Sequence, residues 1–309
     1  MNALLLTLLV ATPDAGTPPP PVLPELRRLG ARLEPALEAG WVREWLRGVN
    51  ELKSVKPTTW FCSKDKQRCA SSAPKDPAYS ARVADDEFLY ARITDPLGYA
   101  RPFEVLAAAG FTPKGKKVLD FGYGNLGQLL MLSRLGVEVH GVEIDALLPL
   151  AGKPLLNRQL VLHHGYFASD PALVKELGGG FDLFLSKNTL KRGYVHPAEP
   201  KDAKGQIDLG LPDEQVLALV FGMLQPGGLF FIYNLAPAQA EPYKPMADGR
   251  CPWSREVLAA AGFEVLAYDA DDSVKARQMG HLLEWDVDGD DLQKTLFASY
   301  TLLRRPAAK

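Results

Sequence analysis

Histidine and cysteine are scarce in this chain, with five and three copies among 309 residues. None of them forms the two closely spaced pairs from which tetrahedral zinc sites are usually built, so no metal is expected. Cys62 and Cys69 flank SKDKQR and can close a small loop in an oxidising compartment, leaving Cys251 over; in a reducing one they are ordinary thiols. His163 and His164 are adjacent, which on a strand points them to opposite faces and away from a shared ion. Excess charge is also lacking. Lys and Arg number 35 against 37 Asp and Glu, and the short basic runs at 114–117 and 304–305 read as solvated ends of elements, so no nucleic-acid partner is expected. No apolar run approaches the roughly 20 residues of a membrane-spanning helix.

The apolar stretch ALLLTLLVA at 3–11 suits the central region of a secretory signal, yet no Lys or Arg precedes it and no good Ala-x-Ala site follows. Export and cytoplasmic residence are equally compatible with that pattern. The Pro-rich segment PDAGTPPPPVLP at 13–24 cannot hold a helix, so residues 1–23 read as a possible signal peptide and tether. From there to about residue 55, Leu26, Leu29, Leu33, Leu37, Trp41, Trp45 and Leu46 recur at helical spacing, predicting one or two amphipathic helices broken near Gly40. The stretch 60–77 is polar and turn-rich. Helices are predicted again at 85–93 and 102–110, the second closing at Gly110, and 24–112 reads as a helical cap.

Beyond residue 112 the pattern changes to short apolar runs separated by helical stretches, at 117–121, 137–142, 160–163, 181–186 and 229–234. That alternation predicts a parallel sheet covered on both faces. A helix at 254–261, strands at 263–268 and 295–303, and a long polar connection with an acidic turn around 286–291 predict an antiparallel edge.

The most informative segment is Val118-Leu119-Asp120-Phe121-Gly122-Tyr123-Gly124-Asn125-Leu126-Gly127, an apolar strand entering a glycine turn and then a helix over 128–135. Glycines let the backbone turn tightly and approach a ligand closely. The second strand delivers Glu143, whose carboxylate can accept from both hydroxyls of a ribose. Read literally, Gly122-x-Gly124-x-x-Gly127 with Glu143 is a dinucleotide fingerprint and keeps an NAD-dependent oxidoreductase open. Asp120 argues the other way: a pyrophosphate at this turn would be repelled by it, whereas a ligand's ammonium would be attracted.

Here the chain resembles the class I S-adenosylmethionine-dependent methyltransferases, whose first motif is an acidic residue followed by alternating glycines. The resemblance extends through Gly141-Val142-Glu143-Ile144-Asp145, Phe181-Asp182-Leu183-Phe184-Leu185-Ser186, Leu224-Gln225-Pro226-Gly227-Gly228-Leu229 and Ala260-Ala261-Gly262-Phe263-Glu264-Val265 to a closing strand at 297–304. It implies a Rossmann-like α/β fold at 113–306, a seven-stranded sheet with helices on both faces. It also implies S-adenosylmethionine as cofactor, with Asp120, Gly122, Tyr123, Gly124 and Gly127 at the methionine end, Glu143 on the ribose and Ile144 on adenine. Leu126 replaces a common third glycine, and Gly165-Tyr166-Phe167 a common acidic residue; Tyr166 or Phe167 could stack on adenine or be core aromatics.

The methyl acceptor, a small molecule or a protein, is not legible. An acceptor hydroxyl or protonated amine needs a base within hydrogen-bond reach. His196, Tyr194 and Lys187, in the polar insertion after the fourth strand of the predicted sheet, are the candidates. Tyr90 or Arg92 could reach the cofactor's carboxylate from the cap. No Asn-Pro-Pro-Tyr or Asp-Pro-Pro-Tyr follows that strand, which argues against methylation of exocyclic base amines or glutamine amides. A degenerate domain that keeps the fold and perhaps the cofactor but acts as a non-catalytic binding or scaffold protein is the remaining alternative.

Overall fold

The computed structural model describes residues 21–92, 95–199, 206–286 and 291–307. The possible signal at 3–11 lies outside them, and the tether ends earlier than expected, because α1 (Val22–Leu33) already begins inside it. Pro24 sits in the first turn, where a missing N–H matters least, and Leu23, Leu26, Leu29 and Leu33 bury one stripe. After a break at Leu37, α2 (Gly40–Arg47) starts at the predicted breaking glycine.

The stretch expected to be turns is instead part of a small antiparallel sheet. Its strands are β1 (Thr58–Ser63), β2 (Cys69–Ala70) and β3 (Tyr79–Ala84), in the order β2-β1-β3. β1 pairs along its whole length with β3, between Thr58↔Ala84 and Ser63↔Tyr79. These strands are short and largely exposed, so no burial pattern announces them. Two helices follow, α3 (Asp86–Tyr90), capped by the Asp85 carboxylate, and α4 (Ala100–Ala108).

The main sheet alternates β4 (Lys117–Phe121), α5 (Gly127–Ser133), β5 (Glu138–Glu143), α6 (Leu147–Gly152), β6 (Leu160–His164), α7 (Pro171–Leu177) and β7 (Phe181–Lys187). The chain continues through α8 (Arg192–Val195), α9 (Asp213–Met223), β8 (Leu224–Ala236), α10 (Arg255–Ala260), β9 (Glu264–Asp271), α11 (Ser273–Leu282), α12 (Leu292–Thr295) and β10 (Phe297–Arg304). The spatial order is β6-β5-β4-β7-β8-β10-β9. All neighbours run parallel except β10, which is antiparallel to both β8 and β9. The expected antiparallel edge is the β10–β9 pair, with β10 set between β8 and β9 and β9 outermost. The connection expected to be polar turn contains α11, which packs under α1.

Alternate residues of the central strands feed two cores. Val118, Leu183 and Leu185 pack with α1, α2, α4 and α5, including Trp45 and Phe103 in edge contact at 4.9 Å. Leu119, Phe121 and Phe184 pack with α7, α9 and α10. Period-two alternation thus fills both faces, and the amino-terminal helices belong to the main core rather than to a separate one.

Candidate functional site

β4 ends at Phe121, and the chain turns through Gly122 (φ +71°) and Gly124 (φ +63°) into α5. Glycine adopts this left-handed region without penalty. At Gly122 a Cβ would also overlap the Thr189 side chain, which lies over the turn. The Gly122 N–H donates to the Val142 carbonyl at 2.9 Å, and Gln128 Nε2 donates to the Tyr123 carbonyl at 2.7 Å. These bonds bring the carboxyl ends of β4, β5 and β7 together, the position where open α/β sheets hold ligands.

Asp120 is buried beneath the turn, 1% exposed, and neither carboxyl oxygen completes a hydrogen bond among the described residues. Burial pushes this carboxyl up to about 7; Tyr99, Lys187 and Gln128 stand close enough to pull it partly back. Lys187 is likewise buried, with its ammonium 5.0 Å from the centre of the Tyr99 ring. Burial lowers it to about 8 against the attraction of Asp95 and Asp120. Tyr123 turns inward against Gly141, and its hydroxyl has no hydrogen-bond partner among the described residues. Gly127 opens α5 under Pro96, whose Cβ would lie 3.0 Å from an added Cβ.

Glu143 ends β5, as expected. Its Oε2 accepts from the Gly124 N–H at 3.1 Å and its Oε1 from the Ile144 N–H at 2.9 Å, so the carboxylate is fixed while spare lone pairs remain for ligand hydroxyls. Ile144 and Tyr166 are exposed at the ends of adjacent strands, 49% and 47%. Phe167 is a core aromatic, 5.2 Å from Phe121. Beside Glu143, Asp145 is buried and receives a bidentate pair from Arg82 at 2.8 Å and a bond from Arg92. Burial opposes ionisation of Asp145, yet the two guanidiniums outweigh it and hold the carboxyl down at about 2.

The amino-terminal segment lies over the turn. Tyr90 is buried and its hydroxyl donates to the Lys53 carbonyl at 2.8 Å. Arg92 donates to Asp145. The residues that reach Asp120 from this side are Tyr99 and, by way of Lys187, Asp95.

The three acceptor-side candidates separate. Lys187 lies beside Asp120. Tyr194 is half-buried under the ammonium of Lys191, 5.3 Å from its ring centre. His196 is exposed and paired with Asp213 at 2.9 Å. Lys191 was not singled out from sequence; its Nζ donates to the Leu235 carbonyl, and burial, then Lys187, lowers it to about 7. Two surface clefts, about 360 and 310 Å³, lie at Lys116–Asp182–Gln225 and at Asn234–Asp248–Ser299, and neither is lined by the glycine turn. No group of three metal-ligating side chains occurs among the described residues.

No protein-family model matches the chain, and no curated protein matches it. Among solved structures, the [4+2]-cyclase SpnF aligns over 91% of this chain and 96% of its own, with 14% identity and a TM-score of 0.45. Geranyl diphosphate methyltransferase in complex with SAM aligns over 69% and 86%, with 14% identity and a TM-score of 0.44. Phosphoethanolamine N-methyltransferase 2 of Haemonchus contortus aligns over 68% and 53%, with 15% identity and a TM-score of 0.42. The chain has a Rossmann-like α/β fold, a seven-stranded, mostly parallel sheet with helices on both faces. That assignment rests on its own strand order, with the antiparallel β10 set between β8 and β9.

Proposed function

We propose that the chain binds S-adenosylmethionine at the 122–127 turn and transfers its methyl group to an acceptor. The observation that carries this reading is the buried carboxylate of Asp120 below two left-handed glycines, whose desolvation Tyr99, Lys187 and Gln128 only partly offset and whose oxygens complete no hydrogen bond of good geometry among the described residues. Burying a carboxylate without partners is costly, and a ligand ammonium is the group that would satisfy it. Glu143 would accept from the ribose hydroxyls, and Ile144 and Tyr166 would flank the adenine. The cofactor supplies the activated methyl group; the protein's part is to align the acceptor and exclude water. Of the three acceptor-side candidates, this reading retains Lys187 to accept a proton, since it alone adjoins Asp120.

The dinucleotide reading is disfavoured by the same carboxylate, which would face a diphosphate, and by strand order. Dinucleotide-binding sheets run 3-2-1-4-5-6, whereas here the seventh strand intervenes. A cofactor-free scaffold is favoured by one observation: Lys187 already places a cation near Asp120, with Thr189 and Pro96 packed over the turn.

Calorimetric titration separates these readings. Saturable binding of S-adenosylhomocysteine that is lost in Asp120→Ala and Glu143→Ala supports the proposal and justifies an acceptor screen. Absence of binding selects the scaffold, and binding of NAD alone selects the oxidoreductase.

A further inference from the structure

The hairpin between β1 and β2 is closed by a Cys62–Cys69 disulfide, and its tip does not simply face solvent. The Lys66 carbonyl accepts from the Ala146 N–H at 2.9 Å, and Gln67 Nε2 donates to the Ile144 carbonyl at 2.9 Å. Both contacts fall on the turn after β5, which carries Glu143 at its start. Arg82 of β3, on the strand paired with β1, adds its bidentate bond to Asp145 in that turn. The small sheet therefore grips three consecutive residues, Ile144, Asp145 and Ala146, from outside. From inside, the Glu143 carboxylate is held by Gly124 and Ile144.

We propose that the disulfide-closed hairpin positions Glu143 and Ile144 for the adenosine end of the ligand, so that the thiol–disulfide state of Cys62 and Cys69 sets cofactor affinity. This rests on the cofactor reading above. The tip reaches the turn through one backbone carbonyl and one long side chain. Lys66 is held at φ +62°, a conformation unfavourable for a residue with a Cβ and maintained here within the closed loop. Ring closure limits the conformations open to residues 63–68. In the opening reaction a dithiol reductant attacks one sulfur, the S–S bond breaks, and two electrons and two protons pass to Cys62 and Cys69. The reductant leaves as its own cyclic disulfide. The freed loop then samples conformations that lack the two contacts, and the turn bearing Glu143 loses its outer support.

Gln67 and the two cysteines are positioning residues here, touching no ligand themselves. The test is titration of S-adenosylhomocysteine into oxidised full-length protein, into protein reduced with dithiothreitol, and into the reoxidised sample, alongside Cys62→Ala/Cys69→Ala and Gln67→Ala. Reduction should weaken binding about tenfold and reoxidation restore it. The double cysteine variant should bind at the reduced level and ignore the reductant. Gln67→Ala, with its disulfide intact, should bind several-fold more weakly while melting within about 2 °C of wild type, because its contact is exposed. If reduction unfolds the protein, Gln67→Ala still decides. Equal affinities for wild type and Gln67→Ala overturn this inference alone; absence of binding to the oxidised wild type overturns the cofactor reading and this inference with it.

Discussion

Replacing Asp120 with Asn should make the ligand-free protein more stable in alkaline solution while abolishing cofactor binding. The carboxyl ionises near 3.8 when solvated and at about 7 in the fold, so the native state binds its proton more tightly than the unfolded chain does. Stability from this group is fully present below pH 3.8 and is lost as the pH rises to about 7 and beyond. At about 1.4 kcal/mol per pH unit, the full loss is about 4 kcal/mol. Asn keeps the shape and carries no charge, so its variant escapes the loss. Lys187 opposes part of the gain, because Asp120→Asn removes one of its two acidic neighbours; that debit shrinks once the pH exceeds about 8, where the ammonium gives up its proton. Urea unfolding at pH 8.5 should therefore show Asp120→Asn more stable by about 2 to 4 kcal/mol, a midpoint shift of about 1 M. At pH 5.5 only about half of that loss has accrued, so the advantage of the variant should be about 2 kcal/mol smaller than at pH 8.5. A less stable variant at pH 8.5, or the same difference at both pH values, would refute the claim that Asp120 is an uncompensated buried acid.

Gly122→Ala should lose about 2 to 3 kcal/mol in chemical unfolding, since φ is +71° and the new Cβ overlaps Thr189; adding Thr189→Ala should recover the steric part and leave the backbone part. A third prediction concerns the stacked pair His140 and His163, whose rings are nearly parallel and whose Nδ1 and Nε2 atoms lie 3.0 Å apart between Glu138 and Glu176. Burial lowers the His140 pKa, with Glu138 opposing, so the unfolded chain takes up a proton more readily. Stability from this group is present above the ordinary value of 6.5 and falls as the pH drops below it. His140→Gln should flatten the acid limb of stability below about pH 6.5; identical slopes for the two proteins in calorimetric melts would disprove it.

The parts of this molecule legible in the sequence are those whose signal is local. The strand–glycine–helix unit at 117–133, the acidic end of β5 and the apolar runs of β6 and β7 each carry their own pattern, and the structure places them within a residue or two of expectation. What could not be read depends on partners far along the chain. Arg82 and Asp145 meet across 63 positions, and neither type nor spacing announces the pair. Tyr99 approaches Asp120 only because α4 packs across α2 and α5. α11 went unseen for a different reason: the residues it buries are Ser273, Ala276, Met279 and Gly280, so its inward face has almost no apolar stripe to detect. The insertion of β10 between two strands that precede it is equally invisible to local pattern, since an added edge and an inserted strand have the same alternation.

The buried acids of this molecule differ in how their desolvation is answered. Asp272 accepts a bidentate pair from Arg101 at 2.7 Å and a bond from the Tyr233 hydroxyl at 2.8 Å. Asp145 has Arg82 and Arg92. In both, desolvation is answered by charge and geometry, as expected of acids whose role is to join elements. Asp120 is buried as deeply but has no guanidinium, and Tyr99, Lys187 and Gln128 only partly offset its desolvation. Local conflicts of this kind persist in native proteins chiefly where function needs them, and this one sits at the carboxyl end of the central strand, under glycines that open the backbone to a ligand. Asp120→Asn would relieve that conflict at the expense of Lys187, which would lose one of its two acidic neighbours.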